Sequence, residues 1–292
     1  MSFSVGIVGL PNVGKSTLFK ALTSQQVDIA DYPFTTIKPN IGTVKVPDKR
    51  LEEVANIIKP EKIVPTIIEF VDIAGLVKGA HKGEGLGNQF LAQIRECDAI
   101  VQVIDGFREK SNPKEEMETV RTELELKDLE SEGKDNLLSK KPVVYLVNSP
   151  AQKTKNVEQI CSAFPVPYLV MDLKLEAEIS ELSEEEKSEL NMKPQLDQLI
   201  LACYNILDLI TFYTVAGFKE VRAWTIEKGA LAPEAGGRVH SDFKEKFIKA
   251  EVIPWKTLIE AATWKEAKEN GLIKTVSKEY AVQDGDVIEF KV

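Results

Sequence analysis

Gly9-Leu10-Pro11-Asn12-Val13-Gly14-Lys15-Ser16 follows the apolar run Ser4–Val8 and opens Lys15–Thr23, whose apolar residues recur at helical spacing. The stretch fits GxxxxGK[ST] without mismatch, in the strand–loop–helix setting that gives the pattern meaning. Its glycines let the backbone curl so that successive N–H groups point at phosphate oxygens, assisted by the dipole at the helix start. Lys15 is placed to reach the β- and γ-phosphates, and the Ser16 hydroxyl to hold Mg²⁺. The cradle therefore comprises Asn12, Val13, Gly14, Lys15, Ser16 and Thr17.

Working outward, Ile67–Val71, Ala99–Ile104 and Val143–Val147 are further near-continuous apolar runs, as buried parallel strands require. Helical patterns at Asp48–Ile58, Leu86–Cys97 and Lys114–Glu130 alternate with them. That alternation predicts an α/β fold with a doubly wound, mostly parallel sheet. Asp72-Ile73-Ala74-Gly75 ends one strand and matches the DxxG of GTPase-type folds. Asp72 would bind Mg²⁺, usually through water, and the Gly75 N–H would sense the γ-phosphate. A glycine-dense stretch follows, Gly75 to Gly87, suited to a nucleotide-sensing switch. Between the motifs, Pro33-Phe34-Thr35-Thr36 offers a threonine to close over Mg²⁺, and Thr36 is the residue assigned.

The chain has 292 residues, 43% hydrophobic and 28% charged, enough for two domains with real cores. Its three cysteines, Cys97, Cys161 and Cys203, form no CxxC pair, which excludes a cysteine zinc site and a disulfide framework. With only His81 and His240, a histidine-rich metal site is excluded too. The net charge of −9 argues against a non-specific DNA coat, and no sequence-specific DNA partner is indicated. No apolar run reaches membrane-span length and no signal peptide is read at the N-terminus, so the expectation is a cytoplasmic protein, working as a monomer.

The helical pattern Pro194–Leu209 ends the first region, and the domains are drawn as 1–206 and 207–292. Beyond it, short strands (Val221–Ile226, Val287–Lys291), turn residues and helices around 255–269 predict a small α+β module. There the charges nearly cancel, and Arg238, His240, Lys244, Lys246 and Lys249 interleave with Phe243 and Phe247, a pattern compatible with RNA phosphates. Asp242 and Glu245 dilute the patch. Trp224, Trp255 and Trp264 read as packing residues.

GLPNVGKSTLF, FVDIAGLVKGAHKGEGLGNQFL and EVRAWTIEKGALAPEAGGRVHSDFKEKFIKAEV closely resemble the YchF or Obg-like ATPases, a branch of the Obg-related P-loop NTPases. The resemblance runs from the first strand to EYAVQDGDVIEF. It implies a C-terminal TGS-type β-grasp domain, ATP binding and hydrolysis, a need for Mg²⁺, and ribosome association. It also makes Asn12 a candidate contact for K⁺. Leu76 stands where Ras-like GTPases orient water with Gln, so slow hydrolysis is implied.

Three departures from the family pattern qualify it. The long helical hairpin inserted in the nucleotide domain has no room between Arg121 and Lys141, leaving a shortened insert near 114–141. The loop Asp105–Pro113 lacks the histidine of many relatives, and His81 is the remaining candidate to assist hydrolysis. Asn148-Ser149-Pro150-Ala151 matches neither guanine-reading NKxD nor the adenine-associated NxxE. Asn148 and Ser149 stay as base-edge contacts, with Met171-Asp172-Leu173 flanking the base. A slow ATPase switch is the reading adopted. A GTPase of the same fold and a nucleotide-gated binding module with negligible turnover are the alternatives.

Overall fold

The computed structural model describes residues 3–24, 40–73, 86–108, 111–130, 137–150, 168–192 and 194–291. The chain begins β1 (Phe3–Val8), α1 (Lys15–Thr23), β2 (Ile41–Lys45), α2 (Lys49–Ile58), β3 (Lys62–Val64). It continues β4 (Ile67–Asp72), α3 (Leu86–Glu96), β5 (Ala99–Asp105), α4 (Pro113–Glu130), β6 (Val143–Asn148), β7 (Tyr168–Met171). Helices α5 (Leu173–Ser180), α6 (Glu184–Glu189) and α7 (Leu196–Ile206) lead to the hairpin β8 (Leu209–Ala216) and β9 (Glu220–Glu227). Last come α8 (Ala232–Val239), α9 (Ser241–Glu245), β10 (Lys249–Pro254), α10 (Trp255–Glu260), α11 (Trp264–Glu269), β11 (Lys274–Val276) and β12 (Asp286–Lys291).

Residues 2–45 and 67–207 make one compact unit. Its sheet runs β2-β4-β1-β5-β6-β7, with β2 antiparallel to β4 and the remaining pairs parallel. This is the doubly wound sheet expected from the alternation of apolar runs. The middle strand β5 is buried along its whole length, which is why its sequence shows no alternation. On one face Phe90, Leu91 and Ile94 of α3 and Val120 and Leu124 of α4 pack with Val8, Ile73 and Ile100. In the last turn of α4 the Asp128 carboxylate accepts from the N–H groups of Leu138 and Ser139, each at 2.8 Å. Those two bonds close the connection to β6 at its base, where the sequence leaves room only for a short link.

Residues 46–66 and 208–292 make the second unit. Its sheet runs β11-β10-β12-β8-β9-β3. The hairpin β8–β9, the helix α8 and the return of β12 parallel to β8 give the expected β-grasp order. The contiguous division at 206/207 thus differs from the structure in one respect: residues 46–66 belong with the C-terminal module. Two interactions hold them there. The apolar stripe of α2, Leu51 and Val54, packs into a core with Tyr213, Val215, Val221, Ala223, Ile253 and Leu258. β3 pairs with β9 in parallel, Ile63 opposite Val221. Helical periodicity shows that α2 has an apolar face, but it cannot show which sheet that face covers.

On the other side of this sheet, Phe243 stacks on Phe290 with centroids 5.8 Å apart, and Phe247 meets the same ring edge-on at 6.4 Å. Both phenylalanines therefore pack against the core formed by Ile210, Phe212, Val252 and Ile288. They are wedges holding α8 and α9 to the sheet, which leaves the basic side chains, without the rings, as the polar face of that segment. Lys246 is paired with Asp242 at 3.0 Å.

Candidate nucleotide-binding site

β1 delivers the chain to Gly9, and from there the loop follows a path that L side chains disfavour. Gly9 has φ 151°, Asn12 φ 63° and Gly14 φ 113°. A Cβ on Gly9 would lie 2.4 Å from the Val103 carbonyl oxygen of β5, and one on Gly14 would lie 2.6 Å from Asn148 Nδ2. Both glycines are thus required by backbone conformation and by the strand ends that crowd the loop. α1 starts on Gly14 with no side-chain cap and no acidic residue in its first turn. Its first N–H groups are left for an anion, and the helix dipole favours one.

Lys15 is buried and curls back over the loop, its ammonium donating to the carbonyls of Gly9 at 3.1 Å and Leu10 at 2.9 Å. Burial lowers the Lys15 pKa, an effect Asp72 opposes. Burial likewise raises the Asp72 carboxyl above the usual carboxylate range, against the pull of Lys15. The two charges meet where a triphosphate and a divalent cation would stand. Ser16 is exposed in the first turn of α1 and Thr17 is half-buried beside it.

Asn148 ends β6, and its amide spans two loops. Nδ2 donates to the Val13 carbonyl at 2.9 Å, while Oδ1 accepts from the Leu173 N–H at 3.2 Å. The side chain expected at the base edge therefore also ties the P-loop to the start of α5. Ser149 is buried, its N–H donating to the Met171 carbonyl at 2.9 Å. Asp172 caps α5 by accepting from the Lys174 and Leu175 N–H groups. The structure so gathers Asn12, Val13, Gly14, Lys15, Ser16, Thr17, Asp72, Asn148 and Ser149 around the ends of β1, β4 and β6. Thr36, Gly75 and His81, together with Leu76, lie outside the described residues.

Arg108, which sequence reasoning passed over, reaches the same loop. Its Nη2 donates to the Asn12 carbonyl at 2.9 Å, and its Nε lies 3.3 Å from Asp105 Oδ2. Asp105, placed by the sequence in the loop after the strand, is the buried last residue of β5.

A metal would find hard oxygen donors, the Ser16 hydroxyl and the Asp72 carboxylate, which suit Mg²⁺. Among the described residues no group of three or more His, Cys, Asp and Glu could hold an ion alone. Such an ion would be shared with phosphate oxygens. Among the described residues no helix is long and apolar enough to cross a membrane.

Comparisons with known proteins agree with this fold. The family described as "50S ribosome-binding GTPase" matches residues 4–149, and that of YchF GTPase C-terminal domains, described as a protein of unknown function, matches 209–292. The "Ribosome-binding ATPase YchF" of Bacillus subtilis (strain 168) is 39% identical over 364 residues, covering 100% of this chain and 99% of its own. Its counterpart from Haemophilus influenzae is 40% identical over 361 residues, with 100% and 99% covered. Both alignments are longer than the 292 residues here, so the relatives carry residues this chain lacks. The solved structure of the Schizosaccharomyces pombe YchF GTPase superposes with a TM-score of 0.85 at 30% identity, covering 99% of this chain and 98% of that one.

Proposed function

Because this chain belongs to the YchF family, we propose that it binds and slowly hydrolyses ATP at the P-loop and acts on the ribosome as a nucleotide-dependent switch. The observation that carries the reading is the phosphate cradle itself. Gly14 opens α1 without a cap, and the buried Lys15 ammonium is parked on the Gly9 and Leu10 carbonyls. On binding, Lys15 would exchange those carbonyls for the β- and γ-phosphate oxygens, which would offset the cost of burying its charge. Ser16 and Asp72 would hold Mg²⁺, together with Thr36. When bound, the ion would neutralise phosphate charge. Gly75 would offer its N–H to the γ-phosphate, His81 would stand near the attacking water, and Asn12 would meet K⁺.

ATP is favoured over GTP because Ser149-Pro150-Ala151 supplies neither the lysine nor the aspartate that reads guanine. The names of the bacterial relatives support the same choice, whereas the yeast structure carries the name GTPase. Ribosome association rests on the relatives' names, and it would place the protein in the cytoplasm. RNA contact would fall to the near-neutral C-terminal module, through Arg238, Lys244 and Lys249. The test is a side-by-side titration of the purified protein with ATP and GTP in Mg²⁺ and K⁺, followed by hydrolysis assays. ATP should bind more tightly, and hydrolysis should exceed that of a Lys15→Ala control. A clear GTP preference would overturn the base assignment, and turnover no greater than the control would leave a nucleotide-gated binding module.

A further inference from the structure

We propose that Arg108 is a positioning residue of the phosphate site, holding the peptide after Asn12 so that the loop keeps its shape when Lys15 leaves it. The inference rests on the nucleotide reading above. A loop that turns its N–H groups inward turns its carbonyls outward, and each outward carbonyl needs a donor. Here the donors to five of the loop carbonyls can be named. Gly9 and Leu10 take the Lys15 ammonium, Asn12 takes Arg108 Nη2, Val13 takes Asn148 Nδ2, and Gly14 takes the Leu18 N–H. A lysine that moves to phosphate abandons the first two. The side-chain braces left on the loop are then Arg108 and Asn148.

The Asn12 peptide is the one most in need of a brace. Its φ of 63° lies in the left-handed region, which a residue with a Cβ occupies at a cost. The bond from Arg108 stabilises that conformation from outside the loop. Arg108 is itself fixed. Asp105, buried at the end of β5, accepts from the N–H groups of Phe107 at 2.9 Å and Arg108 at 3.1 Å through Oδ1, and faces Arg108 Nε through Oδ2. The Asp105 N–H donates to Glu116 Oε2 at 3.0 Å, which anchors the turn to α4. The guanidinium also lies over the Phe107 ring, 5.2 Å from its centroid. One planar fork thus spans a buried carboxylate and a P-loop carbonyl. A lysine ammonium is a single point donor on a flexible stem and cannot span both in that geometry.

The experiment compares wild type, Arg108→Ala and Arg108→Lys by nucleotide titration, steady-state hydrolysis and thermal melting. For Arg108→Ala, Kd and KM for ATP should rise roughly tenfold, the loss of one charge-assisted hydrogen bond. The change in kcat should be much smaller. The melting temperature should fall modestly, because the buried Asp105 loses its counter-charge but keeps the N–H groups of Phe107 and Arg108. Arg108→Lys should recover only part of the affinity. Unchanged Kd in Arg108→Ala would overturn the proposal. So would a fall in kcat at unchanged Kd, which would make Arg108 a direct contact to the reacting phosphate. Wild type that binds GTP but not ATP would defeat the base assignment alone, since the same comparison then runs with GTP. Wild type that binds neither would remove the phosphate site and this inference with it.

Discussion

The Tyr213 hydroxyl donates to Asp48 Oδ2 at 2.5 Å, joining β8 to the cap of α2 across 165 residues of chain. Asp48 also accepts from the Arg50 N–H at 3.0 Å and pairs with Arg50 Nε at 2.8 Å. Arg50 continues to Asp284 at 2.6 Å, and Asp284 accepts from the Thr211 N–H at 3.0 Å. Burial, reinforced by the Asp48 charge, pushes the tyrosine pKa far up, so Tyr213 remains a donor throughout the working pH range.

Tyr213→Phe should therefore lower stability by about 1.5–3 kcal/mol, the value of a hydrogen bond to a charged group. Asp48→Ala should cost more, about 2–4 kcal/mol, since it also removes a helix cap and strands Arg50. The double variant should lose less than the sum, because both changes act on one network. Urea denaturation of the four proteins decides this, and additive losses would show that the two residues act independently.

Asp286 gives a prediction in pH. It is buried on β12, where its Oδ2 accepts from the Tyr280 hydroxyl at 2.8 Å and the Gln283 N–H at 2.9 Å. Burial raises its pKa, the neighbouring Asp284 adds to the rise, and the hydrogen bonds and Lys274 oppose it. A carboxyl whose folded pKa is raised contributes stability below its unfolded pKa, and that contribution fades as pH rises through the folded value. Asp286→Asn keeps an acceptor oxygen for both donors and removes the buried charge. Relative to wild type it should be neutral or stabilising at neutral pH and should lose that advantage in acid. Denaturation midpoints at neutral and acid pH measure the difference. A variant less stable at neutral pH and recovering in acid would reverse the sign.

Asn148 can be tested by asking for a donor that an isostere lacks. Asn148→Asp keeps the shape but sets a carboxylate against the Val13 carbonyl, where Nδ2 now donates. It should weaken nucleotide binding more than Asn148→Ala does, by about 1–3 kcal/mol against wild type, because two acceptors then face each other. If Asn148→Asp binds ATP as wild type does, the brace has no part in shaping the loop.

What was legible in the sequence had a local cause. The P-loop needs glycines at positive φ beside a lysine, and those residues are contiguous. Buried strands need runs of β-branched residues, and the four read from the sequence lie within β1, β4, β5 and β6. The capping box of Ser183 and Glu186 at the start of α6 is local in the same way, and both of its halves are present. The loop partners of Asn148, and the roles of Arg108 and Tyr213, were illegible in a different way. Each residue acts on a partner brought near only by folding, and a side chain at a strand end looks the same whether it meets a base, a carbonyl or solvent. Phe243 and Phe247 misled for the same reason, since aromatic rings beside basic residues also fit a sheet core.

The segment 46–66 joins two strands that need no such length. Lys45 at the end of β2 stands opposite Ile67 at the start of β4 in an antiparallel pair, where a two-residue turn would suffice. Instead the chain leaves the nucleotide unit, forms α2 and β3 within the other unit, and returns just ahead of Asp72. A protein truncated after 207 would keep α2 but lose Tyr213, Val221, Ile253 and Leu258, the residues that cover Leu51 and Val54. Each uncovered side chain forfeits about 1.5–3 kcal/mol of burial, and the exposed stripe should make the fragment bind hydrophobic dye and self-associate. The same fragment with 46–66 replaced by Asn-Gly should remain monomeric by sedimentation, because its own sheet and core are intact. If the simple truncation is as soluble and dye-silent as the full chain, α2 finds cover within the nucleotide unit. Its place in the second unit would then be a preference rather than a requirement.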